Sequence, residues 1–152
     1  MQLTCPAFKN KEKIPSKYTC DGSDRNPELF ISQVPSHAQS LVLIMDDPDV
    51  PSSVRKDNMW DHWVIFNIPP QTTHIPENSQ PIGVPGRNTE GNLNYQGPCP
   101  PDREHRYFFK LYALDILLSL PQGSSKKEVE AAMKGHILAQ TELMGRYERN
   151  KQ

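Results

Sequence analysis

A chain of 152 residues with 36% hydrophobic and 23% charged residues is long enough to bury one core and too apolar to be disordered. Its formal net charge of -1 provides no broad basic surface for nucleic acid and no general attraction to an anionic membrane. No apolar run approaches the ~20 residues that span a bilayer. We therefore expect one globular domain over residues 1–152, with no nucleic-acid partner and no membrane span.

The 15 prolines and the three cysteines further restrict the class of protein. Prolines interrupt helices and sheet ladders, so their number favours short elements and many ordered loops. Cys5, Cys20 and Cys99 form no C-x-x-C spacing, and the segment Met1–Pro6 lacks the basic and apolar regions of a secretory leader. We therefore expect three reduced thiols and a cytoplasmic location.

The first strong strand signal is the continuous apolar run Ser40–Asp46, which is typical of a central strand buried on both faces. It leads into Asp47-Pro48-Asp49-Val50-Pro51. Each residue before a proline is held in an extended conformation, so we expect a stiff turn there that fixes the directions of its carboxylates.

The aromatic and β-branched segment Trp60–Ile68 predicts a second core strand. Strict alternation along this strand would place His62 and Val64 on one side and Trp63 on the other. A single histidine in a strand is more often a packed, hydrogen-bonded core residue than a ligand-binding group. His62 becomes a candidate site residue only together with other polar groups.

Residues 71–101 contain glycines, asparagines and prolines with little apolar periodicity, which predicts a long loop region. Ordered loops of this length are usually functional. The run Gly97-Pro98-Cys99-Pro100-Pro101 would be rigid because of its prolines, while its glycine would let a ligand approach the backbone closely.

The third strand is predicted over Arg106–Asp115, directly after His105. His105 and Tyr107 are two residues apart and therefore share one face of the strand, while Arg106 lies on the other. An imidazole and a phenol side by side are donors suited to a phosphate oxygen. Arg106 is expected to form a structural salt bridge instead of contacting the same ligand.

The C-terminal part predicts two short helices. Ser125 and Glu128 form a capping box, and Val129, Ala132 and Met133 follow at helical spacing up to Gly135. A second helix, ended by Gly145, is predicted from the spacing of Ile137, Leu138, Thr141 and Met144. Strands first and helices late indicate a mostly β fold, an antiparallel core with short peripheral and C-terminal helices.

A series of different short motifs extends along nearly the whole chain. They are Tyr18-Thr19-Cys20-Asp21-Gly22, Asp47-Pro48-Asp49-Val50-Pro51, His62-Trp63-Val64, Gly97-Pro98-Cys99-Pro100-Pro101, His105-Arg106-Tyr107, Tyr112-Ala113-Leu114-Asp115 and Gly135-His136-Ile137-Leu138-Ala139. With these motifs the chain resembles the phosphatidylethanolamine-binding protein family, also called the Raf-kinase-inhibitor-like family. More narrowly, it is similar to the short bacterial and archaeal members.

The resemblance implies an antiparallel Greek-key β-sandwich with one small surface pocket. It implies that this pocket accepts phosphate-like anions or phospholipid head groups, and that some relatives act as kinase inhibitors. The residues that it brings to the pocket are Asp47, His62, Gly97, Pro98, His105 and Tyr107. The chain departs from the family where Asn26-Pro27-Glu28 replaces the usual start of the first core strand. Because the sequence stops soon after Tyr147, we also expect it to lack the longer C-terminal tail with which eukaryotic members line the pocket.

We expect a binding module without a cofactor or metal, whose partner is a phosphate-bearing small molecule or head group. In this module Asp47 either fixes the tautomer of a histidine or receives the ammonium of a zwitterion such as phosphoethanolamine. One alternative is a hydrolase with Cys99 as nucleophile, His62 or His105 as base and Asp47 as the orienting acid. Another is a kinase-inhibitor-like interaction scaffold that uses loop 69–101. A metal site from scattered histidine, aspartate and cysteine side chains is conceivable by residue type alone.

Overall fold

The structure is a computed structural model that describes residues 1–149 as two antiparallel β-sheets with one α-helix. Its elements in chain order are β1 Gln2–Thr4, β2 Leu29–Ser32, β3 Ser40–Asp47, β4 Trp60–Ile68, β5 His74–Ile75, β6 Val84–Pro85, β7 His105–Leu114, α1 Lys126–Met133 and β8 Ile137–Tyr147. One sheet has the order β1-β2-β5 and the other the order β6-β4-β3-β7-β8. The predicted mostly β class is confirmed.

Strand β3 is the centre of the fold and is buried on both faces, as its continuous apolar run predicts. Leu41, Leu43 and Met45 point into the core between the two sheets. Val42 and Ile44 point to the other side, where they pack in a second core with residues of α1. This strand therefore fixes the five-stranded sheet between a second sheet and a helix.

The first predicted C-terminal helix is confirmed, and the second is wrong. Ser125 caps α1 through a complete capping box with Glu128, and Gly135 follows the helix with a φ of 80°. The next eleven residues form β8 instead of a helix. This strand pairs with β7 from His105↔Tyr147 to Leu114↔Ile137, and these backbone hydrogen bonds outweigh the helical spacing of its apolar residues.

Gly145 has a packing role in β8 and does not end a helix. A Cβ atom on Gly145 would lie 2.4 Å from Cγ1 of Ile14 and 2.8 Å from the ring of Phe8. Leu143, Gly145 and Tyr147 alternate on the buried side of the strand. The N-terminal segment thus packs against β8 at a position that only glycine leaves open.

The expectation of three reduced thiols is also wrong, because Cys20 and Cys99 form a disulfide with their Cα atoms 5.4 Å apart. Cys5 is free and buried. The N–H of Cys20 donates to the carbonyl of Pro98 over 3.1 Å, so the two loops meet although they are far apart in sequence. The disulfide removes the thiol argument for a cytoplasmic location. Within residues 1–149 the structure has no helix that is long and apolar enough to cross a membrane.

The antiparallel order of the sheet brings the predicted site residues to one end. Asp47 at the end of β3 is paired with Trp60 at the start of β4. On its other side the end of β3 meets the start of β7, where Asp46 is paired with Phe108. Because neighbouring antiparallel strands begin and end at the same edge, the polar ends of all three strands meet there.

Candidate ligand-binding site

A cavity of about 320 Å³ opens at this end of the sheet. Five of the six predicted site residues line it, and the sixth, Pro98, does not. The five are Asp47, His62, Gly97, His105 and Tyr107. Apolar and polar side chains complete the wall, among them Val50, Val54, Trp60, Glu90, Gln96, Pro100 and Pro101. The volume lies near the lower end of the range for small-molecule sites.

The buried ring of His105 is held between two carboxylates. Its Nδ1 lies 2.7 Å from Oδ2 of Asp47, and its Nε2 lies 2.6 Å from Oδ1 of Asp102. The hydrogen bond from His105 holds the pKa of Asp102 below its usual range. Sequence analysis missed Asp102, which lies in the loop before β7. Its place three residues before His105 is the only sequence signal for this contact.

Asp47 orients His105, which is the first of the two roles that the sequence left open. Its Oδ2 accepts the hydrogen bond from His105, and its Oδ1 accepts the backbone N–H of Asp49 over 2.7 Å. Burial raises the pKa of Asp47, although the Asp49 N–H and His105 both oppose that change. Arg106 forms the predicted structural salt bridge, since its guanidinium donates twice to the Asp49 carboxylate.

His62 reaches the pocket because β4 contains a β-bulge. The register passes from Met45↔Trp63 to Asp46↔Asp61, so His62 is the extra residue. Asp61 pairs with Lys126 of α1 on the other side of the sheet, over 3.0 Å. The side chain of His62 therefore lies on the same side of the sheet as Trp63, which is the side of the pocket. The strict alternation that would place His62 on the side of Val64 is wrong at this position.

The backbone of Gln96 fixes the ring of His62. Nδ1 of His62 donates to the carbonyl of Gln96 over 2.6 Å, and the N–H of Gln96 donates to the carbonyl of His62 over 3.1 Å. Nε2 of His62 is buried and has no hydrogen-bond partner among residues 1–149. Burial lowers the pKa of His62 to about 4, so the ring is neutral at pH 7.

Tyr107 contributes a buried hydroxyl group that likewise has no hydrogen-bond partner among the described residues. Its ring meets the ring of His62 edge-on, with centroids 5.3 Å apart, and stacks on His105 at 6.3 Å. Burial raises the pKa of Tyr107, so the hydroxyl keeps its hydrogen and can donate it. A buried hydroxyl without a partner is unfavourable unless a ligand or water satisfies it.

Gly97 and Pro98 contribute to the pocket through contacts with the protein itself, whereas the sequence predicted that they bind the ligand. The N–H of Gly97 donates to Oδ1 of Asp24 over 2.8 Å and is therefore not free for an anion. A Cβ on Gly97 would lie 2.3 Å from both this oxygen and the carbonyl of Tyr18. Glycine is thus required by the approach of segment 18–24. Pro98 is buried behind the wall, where its carbonyl accepts from Cys20.

The disulfide contains the sulfur atom that the hydrolase alternative would use as its nucleophile. Cys99 lines the cavity but is bonded to Cys20, so it presents no thiolate nucleophile in this structure. The same bond removes it from any thiolate metal site. What the pocket offers is a set of hydrogen-bonding groups: a histidine fixed by Asp47, a phenol and a neutral imidazole.

A two-sheet antiparallel fold with a small pocket at the strand ends, where a few polar groups meet an apolar wall, is typical of a ligand-binding scaffold. The chain belongs to the phosphatidylethanolamine-binding protein family, whose family model matches residues 4–148. It is 49% identical to a UPF0098 protein of Chlamydia trachomatis over 150 residues, covering 99% of this chain and all of that one. It is 50% identical to a UPF0098 protein of Methanothermobacter thermautotrophicus, covering 98% of this chain and 99% of that one.

Two solved structures agree with this assignment. A phosphatidylethanolamine-binding protein homologue from Chlamydia trachomatis superposes with a TM-score of 0.95 at 49% identity, covering 98% of this chain and 97% of that one. YbcL of E. coli, described as a new member of the mammalian family, superposes with a TM-score of 0.87 at 30% identity, covering 98% of each chain. The fold and the family that the sequence motifs predicted are confirmed.

Proposed function

We propose that this protein binds, without cleaving, a small oxyanion ligand such as phosphate or the head group of a phospholipid. The observation that carries the proposal is the contact between a carboxylate oxygen of Asp102 and Nε2 of His105. It identifies a position beside the pocket where an anionic oxygen meets a buried donor. A ligand oxyanion would replace Asp102 at this position.

The surrounding groups complete the anion site. Asp47 fixes the ring of His105 through Nδ1, so that Nε2 is directed to the ligand position. Tyr107, whose ring stacks on His105, supplies as a second donor a hydroxyl that has no partner in residues 1–149. Two donors on one oxyanion are typical of phosphate recognition.

The rim of the cavity suits a zwitterionic head group. Glu90 lines the cavity with an exposed side chain and supplies a negative charge for an ammonium group. Val54 and Trp60 provide apolar surface for the methylene groups between phosphate and ammonium. A volume of about 320 Å³ holds a head group and leaves acyl chains outside. The relatives whose names include phosphatidylethanolamine binding support this ligand class.

Calorimetric titration with inorganic phosphate and with phosphoethanolamine at pH 7 tests the proposal. His105→Asn keeps a side-chain N–H that can donate to Asp47 but removes the Nε2 donor. We expect this variant to bind at least about tenfold more weakly than the wild type. His136→Asn is the matched control, because His136 also pairs with an aspartate, Asp115, but lies far from the pocket. Equal affinity of His105→Asn and wild type would overturn the proposal.

A further inference from the structure

His62 places a buried hydrogen-bond acceptor in the same cavity as the two donors proposed for the anion, His105 and Tyr107. The carbonyl of Gln96 has no hydrogen, so the contact of 2.6 Å requires the ring hydrogen to be on Nδ1 of His62. In a neutral imidazole the other nitrogen is then a lone-pair acceptor. This nitrogen, Nε2, is buried without a partner among residues 1–149, in a residue that lines the cavity.

The surroundings keep the ring in this neutral form. His62 is only 4% exposed, and no carboxylate of residues 1–149 lies within hydrogen-bond distance of its Nε2. Both oxygens of Asp47 are already used by Asp49 and His105. The two titratable groups that act on the ring at longer range, Asp46 and His105, have opposite effects, and burial has the largest effect. The acceptor therefore persists at neutral pH.

We infer that His62 makes the pocket selective for ligands that carry their own hydrogen-bond donor, so that phosphate binds and sulfate is rejected. This inference rests on the proposed function and names the ligand chemistry of the same site. Both phosphate ions present at neutral pH retain a P–OH group, which can donate to His62 while other oxygens accept from His105 and Tyr107. Sulfate has no hydrogen at that pH, so one of its oxygens would face the lone pair of Nε2.

The donor hydrogen can also come from an ammonium group. Above the second ionisation of a phosphate monoester, near pH ~6, ethyl phosphate has no P–OH, whereas phosphoethanolamine retains its ammonium. If the ammonium is the donor that reaches His62, phosphoethanolamine binds at pH 8 and ethyl phosphate does not. If P–OH is the donor, both ligands bind at pH 5.5 and both weaken at pH 8.

The experiment compares phosphate with sulfate by calorimetry at pH 7 in three proteins. We expect the wild type to prefer phosphate by at least about tenfold. His62→Asn keeps an N–H for Gln96 and lacks the Nε2 acceptor, so its preference should fall to about twofold or less. Tyr107→Phe removes a donor that both anions use, so it should weaken both equally and leave the preference unchanged.

Other outcomes separate this inference from the proposed function. Equal binding of phosphate and sulfate by the wild type would overturn the selectivity and leave the anion site in place. Binding of neither anion would overturn both. Long-range ¹H–¹⁵N NMR spectra of the ligand-free protein give an independent test, because they report which ring nitrogen of His62 carries the hydrogen. A hydrogen on Nε2 at pH 7 would overturn the inference whatever the affinities.

Discussion

Nε2 of His105 lies 2.6 Å from a carboxylate oxygen of Asp102, and this side chain comes from the loop directly before the strand that carries His105. The aspartate is 39% exposed at its side chain, whereas the histidine is 1% exposed. Asp102 is therefore the exposed partner of a buried ring. Under the proposed function, it competes intramolecularly with the anion for this nitrogen.

Removing the charge of Asp102 is expected to strengthen ligand binding. In Asp102→Asn the contact with His105 becomes a weaker, neutral one, so phosphate should displace it more readily and bind about tenfold more tightly. Asp115→Asn is the matched control, because it removes an equal charge from another aspartate–histidine pair at the far end of the sheet. Calorimetry of the three proteins side by side checks this. An affinity of Asp102→Asn at or below that of Asp115→Asn would show that Asp102 is not a competitor.

The hydroxyl of Tyr107 should matter for binding and not for folding. It is buried and has no hydrogen-bond partner in the described part of the chain, so Tyr107→Phe should leave the melting temperature unchanged or raise it. The same variant should bind phosphate about tenfold more weakly, because one donor is lost. Tyr112→Phe, on the same strand but packed on the α1 side, serves as control. A clear loss of stability in Tyr107→Phe, with unchanged affinity, would assign the hydroxyl a structural role instead.

The disulfide should be visible both in a thiol count and in stability. Denatured, unreduced protein should show one reactive thiol, that of Cys5. The bond joins cysteines 79 residues apart, and closing a loop of that size in the unfolded chain stabilises a protein by roughly 3–5 kcal/mol. The double variant Cys20→Ser, Cys99→Ser should lose stability of this order in denaturant titrations and should no longer respond to a reductant. Three reactive thiols in the unreduced wild type would contradict the pairing.

Stability should fall as the pH decreases from 6.5 toward 4 because of His62. Its pKa is lowered from 6.5 to about 4, so in this range the unfolded chain binds a proton that the folded protein excludes. The loss reaches roughly 3 kcal/mol at the acid end. The raised pKa of Asp47 opposes it, since the folded protein takes up that proton more readily. Urea titrations at several pH values should show a flatter profile for His62→Asn than for the wild type. A profile of this variant as steep as that of His37→Asn, at an exposed loop histidine, would contradict the assignment.

The low pKa of His62 could not be read from the sequence. An unperturbed histidine titrates near pH ~6.5 and gains charge in mildly acidic solution. Burial lowers the pKa of His62 to about 4, so its ring stays neutral under those conditions, with the hydrogen on the Nδ1 atom that contacts Gln96. A sequence does not report the burial of one ring nitrogen, so the role of His62 required the structure.

Sequence patterns correctly predicted the features that depend on residues close together in the chain. The apolar run of β3 and the capping box of Ser125 and Glu128 are both present. The pairing of β8 with β7 was missed, because the apolar residues of β8 also fit a helical period and only a neighbouring strand decides between the two. The bulge at His62 was missed for a similar reason, because an extra residue in one strand of a ladder cannot be recognised from the alternation of side chains in the sequence.

The candidate site was likewise predicted only in part. The motif resemblance implied the pocket and its central residues, and five of the six predicted residues line one cavity. Asp102 and the disulfide partner of Cys99 depend on how the loops 20–22 and 97–104 meet across the sheet end. No spacing in the sequence encodes that meeting. The proposed exchange of Asp102 for a ligand therefore depends on how these loops fold together.

The most direct test of the anion site is a crystal structure of the wild-type protein grown with phosphate at pH 7. We expect a phosphate ion with one oxygen on Nε2 of His105 and another on the hydroxyl of Tyr107, with Asp102 moved away from the ring. His62 should face the same ion through Nε2, while its Nδ1 keeps the contact with Gln96. A structure at saturating phosphate in which Asp102 still lies on His105, with no ion beside Tyr107, would contradict the account.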